Sequence, residues 1–280
     1  MMTIAVVGAN SFIARALRVQ APSCHWRYVS WREAVAGTDW LQGIDCVLNC
    51  AFDNRLKYEA YCPEWDIDLR LAQRLRGFDQ VHYLMLSTRM VYGRPPASGR
   101  LHEALAPQPV SHYGQAKWLS EQALGQLLGE RLSVLRLSNV CGYELQDGRQ
   151  SFFALASRSL VQNNRVVLDI GAQVQRDFLP VEILAGWLAR IAVAPVAGVF
   201  NLGAGRGSPC GLIGQWLIDG FGSGELLVSN PRDYDGFVLD IDKAAECYGI
   251  EGVTQTQLRD YCIALGQRLR KAKEGRQCAA

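Results

Sequence analysis

No run of apolar residues in this sequence is long enough to cross a bilayer. The first residues, Met1-Met2-Thr3-Ile4-Ala5-Val6-Val7-Gly8, lack a basic flank and lead straight into a turn, so they read as a buried strand and not as a secretory signal. No CxxC pair occurs among the nine cysteines, Cys24, Cys46, Cys50, Cys62, Cys141, Cys210, Cys247, Cys262 and Cys278. That absence argues against zinc and thioredoxin-type chemistry. Several of these cysteines fall inside apolar strand-like runs, where a free thiol acts as a small core residue. The reading is a reducing, cytoplasmic compartment. Charge of one sign is also lacking. Twenty-nine Lys and Arg face 27 Asp and Glu, a net charge of +2, which gives no electrostatic ground for a nucleic-acid or membrane-surface partner. The four histidines, His25, His82, His102 and His112, stand apart from any cluster with metal-ligand spacing, so no metal site is expected.

What is present is an ordinary globular balance, 49% hydrophobic and 20% charged over 280 residues, enough for a sizeable core. Apolar runs bounded by turn residues alternate with helical patterns. Strands are expected at Ile4–Val7, Trp26–Val29, Cys46–Cys50, Val81–Leu86 and Leu132–Leu137. Helices are expected at Ile13–Val19, over a long stretch Arg55–Leu75 ending at Gly77, and at Tyr113–Leu128 closed by Gly129. This alternation predicts an α/β fold, a Rossmann-like doubly wound parallel sheet with helices on both faces. The second half is less regular. It reads as a helix at Phe152–Val161, a strand at Val166–Ile170, a helix at Glu182–Ala192, a strand at Val199–Leu202 and an amphipathic helix from Thr254 to Lys273, with Glu274–Ala280 as a frayed end. The expected organisation is a dinucleotide-binding domain over 1–140, to which 178–205 returns, and a smaller mixed α/β substrate lobe from 141–177 and 206–265, with 266–280 as a tail.

Gly8-Ala9-Asn10-Ser11-Phe12-Ile13-Ala14 joins the first strand to the first helix. Small residues at 8, 11 and 14 permit a tight turn, close backbone approach to a pyrophosphate, and helix–strand packing. The helix N-terminus then offers N–H groups and a positive dipole end to an anion. Gly8, Ser11, Phe12 and Ile13 are the cofactor-binding candidates of this turn, with Ala51 after the third strand. The alternative is a plain strand–turn–helix with small residues for packing. The second strand ends in Val29-Ser30-Trp31-Arg32 with no carboxylate until Glu33. A carboxylate there would hold ribose hydroxyls; Ser30 and Arg32 suit a 2′-phosphate instead, so NADP(H) is favoured over NAD(H).

Tyr113-Gly114-Gln115-Ala116-Lys117 places a phenol and an ammonium four residues apart, on one helix face. The cation favours phenolate, making Tyr113 a proton donor and acceptor, and Lys117 is also placed to hold the nicotinamide ribose. The fourth strand ends in Leu86-Ser87-Thr88-Arg89-Met90-Val91-Tyr92-Gly93, and a hydroxyl there points into the crevice where open α/β sheets bind ligands. Thr88 is expected to orient a substrate carbonyl.

In these segments, and in Leu135–Gly142, Arg176–Ile183 and Asn201–Gly205, the sequence resembles the extended short-chain dehydrogenases, the NAD(P)-dependent epimerase/dehydratase group acting on nucleotide sugars, over residues 3 to about 250. The resemblance implies Thr88, Tyr113 and Lys117 as a catalytic triad, Asn139 and Arg176 near a substrate diphosphate, and a homodimer through the Tyr113 and Arg55 helices. Arg89 and Arg232 join the substrate-binding candidates. The sequence also departs from the family. Ser11 and Ala14 stand where glycine is common. Arg89-Met90 follows Thr88 in place of the Asp-Glu pair that sugar dehydratases use to eliminate water. Asn230-Pro231-Arg232-Asp233 stands in place of an Arg-Pro-Gly-Asp segment. The stretch between the second and third strands is short, which reduces adenine contacts. Three functions stay open: an NADPH-dependent reductase of a nucleotide-linked keto-deoxysugar, an epimerase that retains its cofactor, and a non-catalytic dinucleotide-binding sensor or scaffold. A nucleotide sugar is the expected partner, with no nucleic acid and no membrane.

Overall fold

The computed structural model describes residues 2–21, 25–145 and 150–277. Cys24, Cys278 and the last three residues of the tail lie outside the described residues. Six parallel strands form the central sheet: β1 (Thr3–Val7), β2 (His25–Val29), β3 (Cys46–Asn49), β4 (His82–Thr88), β5 (Leu132–Leu137) and β6 (Gly198–Leu202), in the order β6-β5-β4-β3-β1-β2. Period-two alternation sends neighbouring residues to opposite faces. Ile4 and Val6 enter one core with Leu48, Leu84 and Leu135, while Ala5 and Val7 enter another with Val47, Tyr83 and Met85. Both faces are buried, which is why these strands read as continuous apolar runs.

Helices α1 (Phe12–Gln20) and α6 (Val181–Val193) cover the first face. The second face carries α2 (Trp31–Ala36), α3 (Ile67–Arg74) and α4 (His112–Leu128). This is the doubly wound arrangement expected. The chain passes from β2 through α2 and one 3-10 turn directly to β3, which pairs with β1. The sheet therefore ends at β2, with its topological switch between β1 and β3.

The long helix expected over Arg55–Leu75 does not form. A 3-10 turn at Asn54–Lys57 and another at Pro63–Trp65 precede α3. The ring of Pro63 and its missing N–H cannot continue a helix. Asp66 then starts a new one, its carboxylate accepting from Leu69 N at 3.0 Å. Apolar spacing ran across that break without marking it.

In the second half, α5 (Phe152–Asn163), α7 (Cys210–Phe221), α8 (Asp242–Tyr248) and α9 (Gln255–Gln277) gather beside four two-stranded ladders. One pairs Phe178–Pro180 with Asn139–Cys141, and another pairs Glu225–Val228 with Arg165–Leu168. α7 escaped the sequence reading because Gly211, Gly214 and Gly220 resemble loop residues. α9 continues through Gln277, past the point where fraying was expected. The seven cysteines among the described residues are all free thiols.

Candidate functional site

Two cavities lie at the carboxyl ends of the strands, and they share Cys50, Ala51, Phe52 and Tyr113 as walls. The larger, about 770 Å³, is lined by the β1–α1 turn, by Ser30, Trp31 and Arg32 after β2, and by the segment after β3. The smaller, about 170 Å³, reaches inward to Ile13, Thr88, Lys117 and Ser138.

Local chemistry builds the larger groove. Gly8 sits at φ +86°, and a Cβ there would lie 2.8 Å from the Ala51 amide nitrogen. Only glycine permits both the left-handed turn and this contact between the two loops. Ser11 caps α1, its Oγ accepting from Ala14 N at 3.2 Å, and the first turn of α1 carries no acidic residue. The amides of a first helical turn have no intrahelical acceptors, and the dipole there favours anions. The residues present thus fit a pyrophosphate: a turn that admits only glycine at position 8, beside a capped helix N-terminus with no acidic residue and with Arg15 on the groove wall. Ser30 caps α2 and Arg32 is exposed against the Trp31 ring, 5.0 Å from its centroid, at the edge of the groove.

The smaller cavity brings together the three residues expected from the sequence. Thr88 closes β4 and is buried; its Oγ1 accepts from Met90 N at 3.2 Å, starting the 3-10 turn Arg89–Tyr92. Tyr113 and Lys117 lie one turn apart on α4. Gly114 lets that helix settle on the turn, since a Cβ would stand 2.6 Å from Met90 O. The Phe52 ring meets Tyr113 edge-on with centroids 5.1 Å apart, and Lys117 Nζ lies 5.0 Å from the same ring.

α4 buries a polar face. Lys117 donates to Asp68 at 2.9 Å, Ser120 Oγ donates to Asp66 at 2.6 Å, and Arg136 pairs with Glu121 at 2.6 Å. Burial opposes the Lys117 ammonium, but Asp68 above all, with Tyr113 nearby, leaves it above the usual lysine value. Burial first, and then the charge of Asp68, hold the Asp66 carboxyl above the usual range.

All the cofactor candidates named from the sequence line one of the two cavities: Gly8, Ser11, Phe12, Ser30 and Arg32 the larger, Ile13 and Lys117 the smaller, and Ala51 and Tyr113 both. The substrate candidates divide. Thr88 lines the smaller cavity. Arg89 and Arg176 meet at Asp235: Arg89 pairs with both carboxylate oxygens at 2.7 and 2.6 Å, and Arg176 reaches one of them at 3.2 Å. Arg176 does not pair with its neighbour Asp177, which is buried against the amides of Ala204 and Leu239. Asn139 lies on the ladder with Phe178, and Arg232 is exposed on the loop that also carries Asp235. Sequence reasoning missed Phe52 and Asp68, which lie against Lys117, and Asn49 and Tyr83, which hold Asp68. Asp68 reads as a solvated helix charge until the fold turns it inward.

The fold and its groove define a dinucleotide-binding α/β enzyme. Residues 4–203 match the NAD dependent epimerase/dehydratase family, and the chain belongs to that family. Solved structures share the fold. RMD from Pseudomonas aeruginosa, complexed with NADPH, is 22% identical, with a TM-score of 0.76 over 97% of this chain and 100% of that one. The UDP-glucose 4-epimerase of Thermus thermophilus with NAD is 19% identical, with a TM-score of 0.78 over 97% and 100%. The UDP-glucose 4-epimerase of Thermotoga maritima with UDP-glucose is 20% identical, with a TM-score of 0.79 over 97% and 99%. Among the described residues, no helix is long and apolar enough to cross a membrane.

Proposed function

We propose that the chain is an NADPH-dependent reductase of a carbonyl on a nucleotide-linked sugar. The observation that carries this reading is the convergence of Thr88, Tyr113 and Lys117 on one cavity that shares walls with the dinucleotide groove. When bound, the reduced nicotinamide supplies a hydride. Gly8, Ser11 and the start of α1 would hold the pyrophosphate, with Ser30 and Arg32 at the adenosine ribose, where a guanidinium suits a 2′-phosphate. Thr88 Oγ1 would donate to the carbonyl oxygen and fix its direction. Tyr113 would give its proton to that oxygen as charge develops, and Lys117 would keep a cation beside it. Phe52 walls both cavities and shields the reacting end from water. Arg89-Met90 after Thr88 supplies no carboxylate for eliminating water, so reduction fits the site better than dehydration. The nucleotide-sugar substrate is carried by the family and by the UDP-glucose of the Thermotoga neighbour.

NADPH oxidation across a panel of nucleotide-linked keto-sugars tests this reading. Tyr113→Phe is expected to lower turnover by roughly 10²-fold or more while NADPH binding, followed by fluorescence, stays intact. Unchanged turnover in Tyr113→Phe would remove Tyr113 as the proton donor; no NADPH oxidation across the panel, with biological activity unchanged in Tyr113→Phe, would favour the non-catalytic reading.

A further inference from the structure

Lys117 is not free to choose its neighbours. Its Nζ donates to Asp68 Oδ2 at 2.9 Å, and both side chains are buried. Asp68 belongs to α3, and its other oxygen accepts from Asn49 Nδ2 of β3 at 2.7 Å and from Tyr83 OH of β4 at 2.9 Å. Three donors thus converge on two oxygens, the pattern of an acceptor-only carboxylate. Two adjacent strands and α3 hold that carboxylate in place, and it holds the ammonium.

The other groups facing this point come from every packed element. Asp66, also on α3, accepts from Ser120 Oγ at 2.6 Å and Tyr61 OH at 2.8 Å. Burial, followed by the nearby Asp68 carboxylate, raises Tyr83 well above the usual phenol value. Burial pushes the Cys50 thiol up to about 12. Tyr113 stands one turn before Lys117, and both lie close to the Phe52 ring.

A lone ammonium beside a phenol draws it toward phenolate. An ammonium locked to a carboxylate presents a dipole, whose field falls off faster. We propose that Asp68 is a positioning residue: it fixes the Lys117 cation between α3 and α4 and offsets that cation's pull on Tyr113, so that the phenol keeps its proton for donation. This rests on Tyr113 being the proton donor.

The test titrates Tyr113 itself and needs no substrate. Tyrosine labelled with ¹³C at Cζ is followed by NMR against pH in the full chain, with NADP⁺ present, and the Tyr113 signal is assigned by its loss in Tyr113→Phe. Asp68→Asn leaves the cation uncompensated and is expected to lower the Tyr113 midpoint by about one pH unit or more; Asp68→Glu returns it toward wild type. Removing one partner of a buried pair can prevent folding. The double variant Asp68→Asn/Lys117→Met removes both charges, and its midpoint is expected within about half a unit of wild type. An unchanged midpoint in a folded Asp68→Asn protein overturns the proposal. So does a rise of more than about one unit in the double variant, because the cation would then have acted unopposed. A wrong reaction assignment would appear separately, as absent NADPH oxidation with these titrations unaffected.

Discussion

Asp177 and His82 show how single buried groups make stability depend on pH. Asp177 is fully enclosed; burial raises its carboxyl to about 6, against the pull of the Ala204, Leu239 and Gly205 amides and the Ser138 hydroxyl. The folded state therefore holds that proton more tightly than the unfolded chain, where a carboxylate titrates near ~4. Its contribution is complete below about 4 and is lost as pH rises through about 6. His82 runs the other way. Burial, and then Arg131, push it down to about 4, so its contribution is complete above the ordinary histidine value and is lost as pH falls toward 4. The two oppose each other across the same acid window. His82→Gln removes only the second effect. The variant's melting temperature is expected to drop less than that of wild type between about pH 7 and pH 5. Identical drops in calorimetry would show that the ring, bonded to Ser133 Oγ at 2.8 Å, is not held neutral by the fold.

At the scale of elements, the contact between α4 and the turn after β4 sets the site. Gly114→Ala forces a methyl to within 2.6 Å of Met90 O, backbone that cannot step aside. It is expected to cost roughly 1–3 kcal/mol by denaturant unfolding and to reduce turnover more than cofactor affinity, because it separates Tyr113 from Thr88. Equal turnover would mean that the helix has room to shift. The loop carrying Asp235 poses a second question. Asp235 sits at φ +55°, a conformation that L-residues with side chains adopt sparingly, and its carboxylate occupies both Arg89 and Arg176. An anionic substrate group bound by these two arginines, as the proposed function expects, would have to displace it. Asp235→Ala is expected to tighten UDP binding by calorimetry, and weaker binding would show that the carboxylate organises the arginines instead of competing for them. What the sequence revealed follows the same division. The β1–α1 turn, Thr88 and the Tyr113–Lys117 pair were legible because each is local, a motif within a few residues. The break at Pro63, the glycine-bearing α7 and the partner of Lys117 were not. Asp68 meets Lys117 across 49 residues of chain, and no spacing rule reaches that far.

The whole molecule is a sheet that stops one strand beyond its switch point. NADPH in excess should therefore raise the melting temperature more than NADH at equal concentration, and Arg32→Ala should remove the difference. At 100 times the dissociation constant a ligand adds about 2.7 kcal/mol, which scanning fluorimetry resolves readily. Equal shifts would end the case for a 2′-phosphate contact. A dinucleotide laid across this sheet would also reach its margin at β2. With its pyrophosphate on α1, a dinucleotide would place its adenosine end against Ser30, Trp31 and Arg32 at the start of α2, beside the last strand of the sheet. A cosubstrate must leave after each cycle and be recharged elsewhere, and a molecule gripped at its middle and open at one end is suited to departure. The protein is accordingly expected to emerge from purification free of nucleotide, unlike an enzyme that carries one coenzyme through many turnovers.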